Sequence, residues 1–155
     1  MKPSITEYST AKVFTRYRIE AARNLRIEEY HGKILLDDLR SMASAVTSDP
    51  AWSADHHGLI DFSAASLALS ANDVMRLGLI LRREDYQSIG WLVFAAGTSS
   101  NFGTIRMLGR WAKNQERIRI FSSRPEAETW IERNGCSYPF RAPAPPAAGP
   151  CRISA

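Results

Sequence analysis

Cysteine is almost missing from this chain of 155 residues, and its two examples, Cys136 and Cys151, sit in a C-terminal stretch outside any foldable pattern. Two such thiols make no disulfide framework, and without a CxxC or a Cys/His pairing there is no zinc site to build. Long apolar runs are missing as well. None approaches the roughly 20 residues that span a bilayer, and Met1 to Tyr8 has no apolar signal core, so a cytoplasmic location is the default expectation. Only three histidines occur. His31 stands alone and His56-His57 has no third ligand nearby, so no metal and no cofactor are expected. The sequence has no GxSxG elbow and no GxxxxGK[ST] loop, which removes the common serine-hydrolase and nucleotide-hydrolase signatures. No nucleophile–base pair can be assembled, so the expectation is a protein that is not an enzyme.

What is present is ordinary for one globular domain: 45% hydrophobic and 23% charged residues, with 20 basic against 16 acidic side chains. The resulting +4 permits an acidic partner without demanding one. Residues 1–13 are polar and mixed and read as a flexible arm. Residues 14–135 read as a single α/β domain. From 136 to 155 the chain is rich in Pro and Ala and reads as a disordered tail.

Inside the domain, Phe14–Glu20 and Leu25–His31 read as an antiparallel hairpin turned by Ala21 to Asn24, with Asn24 left-handed. Pairing Ile19 with Ile27 sets Arg18 opposite Glu28 and Glu20 opposite Arg26, whereas a slip of one residue sets Ile19 opposite Arg26. Leu35, Leu36, Leu39, Met42 and Val46 recur at helical spacing, and Asp49-Pro50 ends that helix. Gly58–Phe62 is a short buried strand followed by a Ser/Ala-rich link from Ser63 to Leu69. Ser70 caps a helix to about Asp85, with Asp73 completing a capping box. Trp91–Ala95 is apolar at both alternations, as a strand covered on both faces requires. A helix over 101–114 buries Ile105, Leu108, Trp111 and Ala112. Ile118–Phe121 is a last strand and Arg124–Arg133 a last helix, opened by Pro125 and stopped by Gly135. Strands alternating with single helices predict a mixed, mostly parallel sheet with an N-terminal antiparallel hairpin. If most helices lie on one face, the apolar back of Trp91–Ala95 needs cover, which predicts a homodimer.

Asp49-Pro50, Leu59-Ile-Asp-Phe62, Phe102-Gly103 with Arg106-Met107, and Ile118–Phe121 followed by Glu126-Ala127 and Trp130-Ile131 together resemble the small bacterial SpoIIAA-like proteins. These are relatives of STAS domains and, more distantly, of CRAL-TRIO lipid-transfer domains. The resemblance covers roughly residues 14–133. It implies a SpoIIAA-like β-α superhelix and a ligand- or partner-binding role without enzymatic activity. In STAS anti-sigma-factor antagonists a phosphorylated serine opens the helix after the strand, and the matching position here is Ser70. The family places an aspartate before that serine and Ser-Gly after it, whereas this chain has Leu69 and Ala71-Asn72.

Candidate binding residues cluster where strand carboxyl ends meet helix starts, as open α/β sheets favour. They are Ser63, Ser99, Ser100, Asn101 and Gly103, with Arg106 supplying charge. The ligand expected there is a small apolar or anionic molecule, lipid-like or amphipathic, or else a protein partner. Ser99 or Ser100 is the expected N-cap, and Gly103 a close-packing residue. Arg106, Arg110, Lys113 and Arg117 form one basic stripe. Because Trp111 is expected to face inward and no aromatic is interleaved, the stripe reads as a solvated surface and nucleic acid is not expected. The four tryptophans and Phe102 read as core and pocket lining.

Overall fold

The computed structural model describes residues 6–10, 13–83, 89–113 and 115–135. The tail expected over 136–155, with both cysteines, lies outside the described residues. Six strands stand in the sheet in sequence order: β1 (Thr6–Thr10), β2 (Val13–Glu20), β3 (Leu25–Ile34), β4 (His57–Leu67), β5 (Leu92–Ala95) and β6 (Ile118–Phe121). β1, β2 and β3 pair antiparallel, and β3 to β6 pair parallel. The mixed, mostly parallel sheet is therefore as expected. The flexible arm is corrected at Thr6–Thr10, which adds an edge strand to the hairpin.

The hairpin turns as its residues dictate, through a single 3-10 turn at Ala21–Arg23 and Asn24 at φ 52°. That turn closes on Leu25, so Glu20 faces Leu25 and Ile19 faces Arg26. The expected pairing of Ile19 with Ile27 is off by one residue. Arg18, Glu20, Arg26 and Glu28 do not oppose each other across the strands, although Arg16 and Glu29 do. Those four pair within a strand instead, two residues apart: Arg18 Nε donates to Glu20 in β2 and Arg26 Nε to Glu28 in β3, each at 2.9 Å. Register is thus decided by the turn and by which residues must be buried.

Between the strands run α1 (Leu36–Ser48), α2 (Ala71–Leu81) and α3 (Ser99–Trp111), and α4 (Arg124–Asn134) follows β6. Crossovers of one hand along a sequentially ordered sheet send successive helices to the same face. Accordingly Leu39, Met42, Val74, Leu77, Ile105 and Leu108 share one core with Tyr17, Tyr30, Ile60 and Phe94. On the other face Ala127 and Ile131 of α4 cover Leu25, Ile27, Leu59, Val93 and Ala95. That cover removes the ground on which a homodimer was expected.

β4 runs to Leu67, through what reads in sequence as a link. A bulge lies between the Glu29–Asp61 and His31–Ala64 pairs. One extra residue there resets the alternation. Phe62 faces the three-helix core, and after the bulge Ala65 does so while Ser63, Ala64 and Ser66 are exposed. α2 and α3 end earlier than expected, at Leu81 and Trp111.

Candidate functional site

β3 lies in mid-sheet with both faces covered, so each second residue needs an interior partner. On the α4 side it offers Leu25 and Ile27. On the three-helix side it offers Arg26, Glu28 and Tyr30, a polar row where the neighbouring strands carry Ile60, Phe62 and Phe94. Above the row is a cavity of about 100 Å³, roofed by apolar side chains of α1, α2 and α3 and by Trp52. The Arg26 and Glu28 side chains are only 12% and 11% exposed. Arg26 Nε donates to one Glu28 oxygen at 2.9 Å, and the Tyr30 hydroxyl donates to the other at 2.8 Å. Burial, with Glu28 beside it, pushes the Tyr30 phenol well above its ordinary value and keeps it a donor. Among the described residues, the two terminal amino groups of Arg26 have no protein acceptor.

The guanidinium is accommodated by Gly58, its neighbour across the β3–β4 ladder. A Cβ at that position would stand 2.9 Å from Arg26 Nη2. His56 is buried near the same end, and burial together with the charge of Arg26 holds its imidazole below the ordinary value. His57, also buried, accepts the Trp91 N–H at Nδ1 (3.0 Å), which leaves Nε2 to donate to the Gly135 carbonyl at 2.6 Å. It ties the start of β5 to the end of α4. His57 opens β4, and His56 stands in the loop just before it.

A second charged group lies on the opposite face. Glu29 is held between Arg16 and Arg124, and Arg124 also reaches Asp61 at 3.2 Å and Glu128 at 2.8 Å. Asp61 accepts the Ser63 N–H at 2.8 Å, beside the bulge within β4. Burial raises the Glu29 carboxyl, but the two arginines outweigh it and bring it from 4.5 down to about 2. A depressed carboxylate stabilises the fold fully above its ordinary value and is lost as pH falls through the folded value. Urea midpoints should therefore separate the parent from Glu29→Gln most at pH 7. The two should converge between about pH 4.5 and 2, with at most about 3 kcal/mol at stake.

None of the six residues expected to bind ligand lines this cavity. Ser63, Ser99, Ser100, Gly103 and Arg106 are exposed, and Asn101 is buried at 1% exposure. Its amide is fully committed: Nδ2 donates to the Ala65 and Ala96 carbonyls at 2.8 Å each, and Oδ1 accepts the Leu67 N–H at 3.0 Å. The α3 cap is Thr98, whose hydroxyl accepts the Asn101 N–H at 3.1 Å, in place of Ser99 or Ser100. The close-packed glycine of this loop is Gly97, at φ +77°, where a Cβ would stand 2.7 Å from Ser63 Cα. Gly103 has open space where its Cβ would be. Gly103→Ala should therefore stabilise the protein by about 0.5–1 kcal/mol, read as a raised urea midpoint at unchanged slope. Ser70 and Asp73 form the expected capping box, with bonds of 3.1 and 3.0 Å. A phosphate on Ser70 would compete with the Asp73 carboxylate for that helix start. Arg117 leaves the basic stripe, since its Nη1 donates to the Ile89 carbonyl at 2.6 Å. Trp111 and Phe102, expected in the core, are 39% and 36% exposed.

No protein-family model matches the chain, and no curated protein matches it. Among solved structures it is similar to an uncharacterized protein of the DUF3478 family with a SpoIIAA-like fold, from Shewanella loihica PV-4. The two are 16% identical, and the match covers 83% of this chain and 93% of the other at a TM-score of 0.48. No helix among the described residues is long and apolar enough to cross a membrane.

Proposed function

We propose that the chain is a non-enzymatic binding module whose ligand is a small, largely apolar molecule with one uncharged hydrogen-bond acceptor. The observation that carries this reading is an arginine with unspent N–H groups in an otherwise apolar space. The Arg26 side chain is 12% exposed, and an acceptor brought in by a ligand would satisfy N–H groups that no protein atom among the described residues accepts. Charge decides the ligand class. Glu28 already neutralises Arg26, so a carboxylate would add an uncompensated buried charge, whereas a ketone, ester or alcohol would not. Size limits it further. An engineered cavity of about 150 Å³ holds benzene, so a chain of about five carbons is the scale to test.

The test is a titration with 2-pentanone and with pentanoate, followed by amide and methyl spectra. The ketone should give saturable shifts around Tyr30, Ile60 and Phe94, and pentanoate weaker ones. Arg26→Met should abolish the difference. Tighter binding of pentanoate, or no saturable change around the cavity, would discard the reading. Shifts confined to Gly97–Arg106 would instead return the site to the helix start expected from sequence.

A further inference from the structure

Three of the large apolar side chains left in solvent lie on the outer face of α2 and α3. Leu79, Met107 and Trp111 are 49%, 40% and 39% exposed. Met107 and Trp111 are four residues apart and so share one side of α3. The helices cross so closely that a Cβ on Gly78 would stand 2.3 Å from Trp111 Cβ, and Arg82 Nε donates to the Trp111 carbonyl at 2.6 Å. Leu79 follows Gly78 in α2 and is exposed. Beside this apolar strip run Arg106, Arg110 and Lys113, all exposed and without a carboxylate partner among the described residues. The only acidic residue in α2 or α3 is Asp73, and it is spent on the Ser70 cap. With Trp111 outward, aromatic and basic side chains now share one face, which the sequence pattern alone did not show.

We propose that this α2–α3 face docks on an anionic lipid surface. The inference is independent of the cavity reading. Charge complementarity supplies the attraction, since cations flanking an apolar strip match acidic headgroups above hydrocarbon. Leu79 and Met107 separate this occupant from a nucleic acid or an acidic protein. Aliphatic and thioether side chains gain from entering acyl chains and gain nothing from phosphates in water. Indole amid basic residues suits the interface itself.

Co-sedimentation of the full chain with vesicles tests this. Binding should be strong to phosphatidylcholine containing phosphatidylglycerol, weak to phosphatidylcholine alone, and reduced by salt. Each of Arg106→Gln and Arg110→Gln should lower partitioning about fivefold. Trp111→Ser should weaken binding and lose its share of the blue-shifted fluorescence. Because that variant also loosens the crossing at Gly78, Met107→Gln serves as the apolar test, with circular dichroism confirming that both are folded. Equal binding to both vesicles, no binding to the anionic ones, or unchanged binding of the arginine variants overturns the proposal. Competition by duplex DNA or polyglutamate that survives Met107→Gln overturns it in favour of an acidic macromolecule.

Discussion

Glu28→Leu alone should cost about 3–5 kcal/mol, whereas Arg26→Met with Glu28→Leu should cost less, about the 1–3 kcal/mol of the stranded Tyr30 hydroxyl. The asymmetry follows from where the pair sits. Removing only the carboxylate leaves a guanidinium facing Ile60, Phe94 and the helix roof with no countercharge, and it deprives the Tyr30 hydroxyl of its acceptor at 2.8 Å. Removing both charges exchanges a desolvated ion pair for apolar contact at similar volume and strands only the Tyr30 hydroxyl. Urea unfolding of the parent, both single variants and the double variant closes the cycle. A double variant as damaged as Glu28→Leu would show that the row is required by the fold, and the functional argument built on it would fail. A harmless Glu28→Leu would mean that the guanidinium reaches water. The double variant also has a use in binding, because it should remain folded while no longer preferring 2-pentanone to pentanoate.

This row was hard to read in the sequence for a physical reason. Arg26-Ile-Glu-Glu-Tyr30 alternates, and alternation with charge on one side ordinarily marks a face turned to water. What overrides it is position: β3 is covered by α1 to α3 on one side and by α4 on the other, and strand order is a tertiary fact. Local signals fared better. The Ser70–Asp73 box, the left-handed Asn24, the apolar β5 and the Pro125–Gly135 limits of α4 all act within a few residues and all stand where the sequence puts them. The hairpin register failed because two placements of the same charges were nearly equal and the turn chose between them. Periodicity puts Trp111 inward, but it stands at the crossing with α2, against Gly78, and is 39% exposed. Ser63 to Leu67 looked like a link because the bulge breaks its alternation. The resumed spacing of Ala65 and Leu67 was the signal available.

The extension of β4 also explains the second large effect. β5 pairs only with Gly58 to Asp61, so beyond Asp61 the β4 backbone has no strand on that side. A buried stretch of unpaired backbone is costly, and Asn101 repairs it. Its side chain takes the place of the missing strand, accepting from Leu67 and donating to Ala65, while a third contact to the Ala96 carbonyl anchors the end of β5. Asparagine is needed because the site asks for a donor and an acceptor on one planar group. Asn101→Leu should therefore cost at least about 3 kcal/mol, the lower end of a sum over one N–H and two carbonyls left unsatisfied at about 1–3 kcal/mol each. Asn101→Asp should cost as much or more, because the carboxylate keeps the bond from Leu67 but faces two carbonyls without a proton to give them. Amide exchange should show the damage locally, with protection lost first at Leu67 and Ala68 and retained at Leu59 and Ile60 in mid-sheet. Loss spread evenly over the sheet, or an Asn101→Leu variant as stable as the parent, would mean that the extension is held by its own bulge and that the amide is incidental.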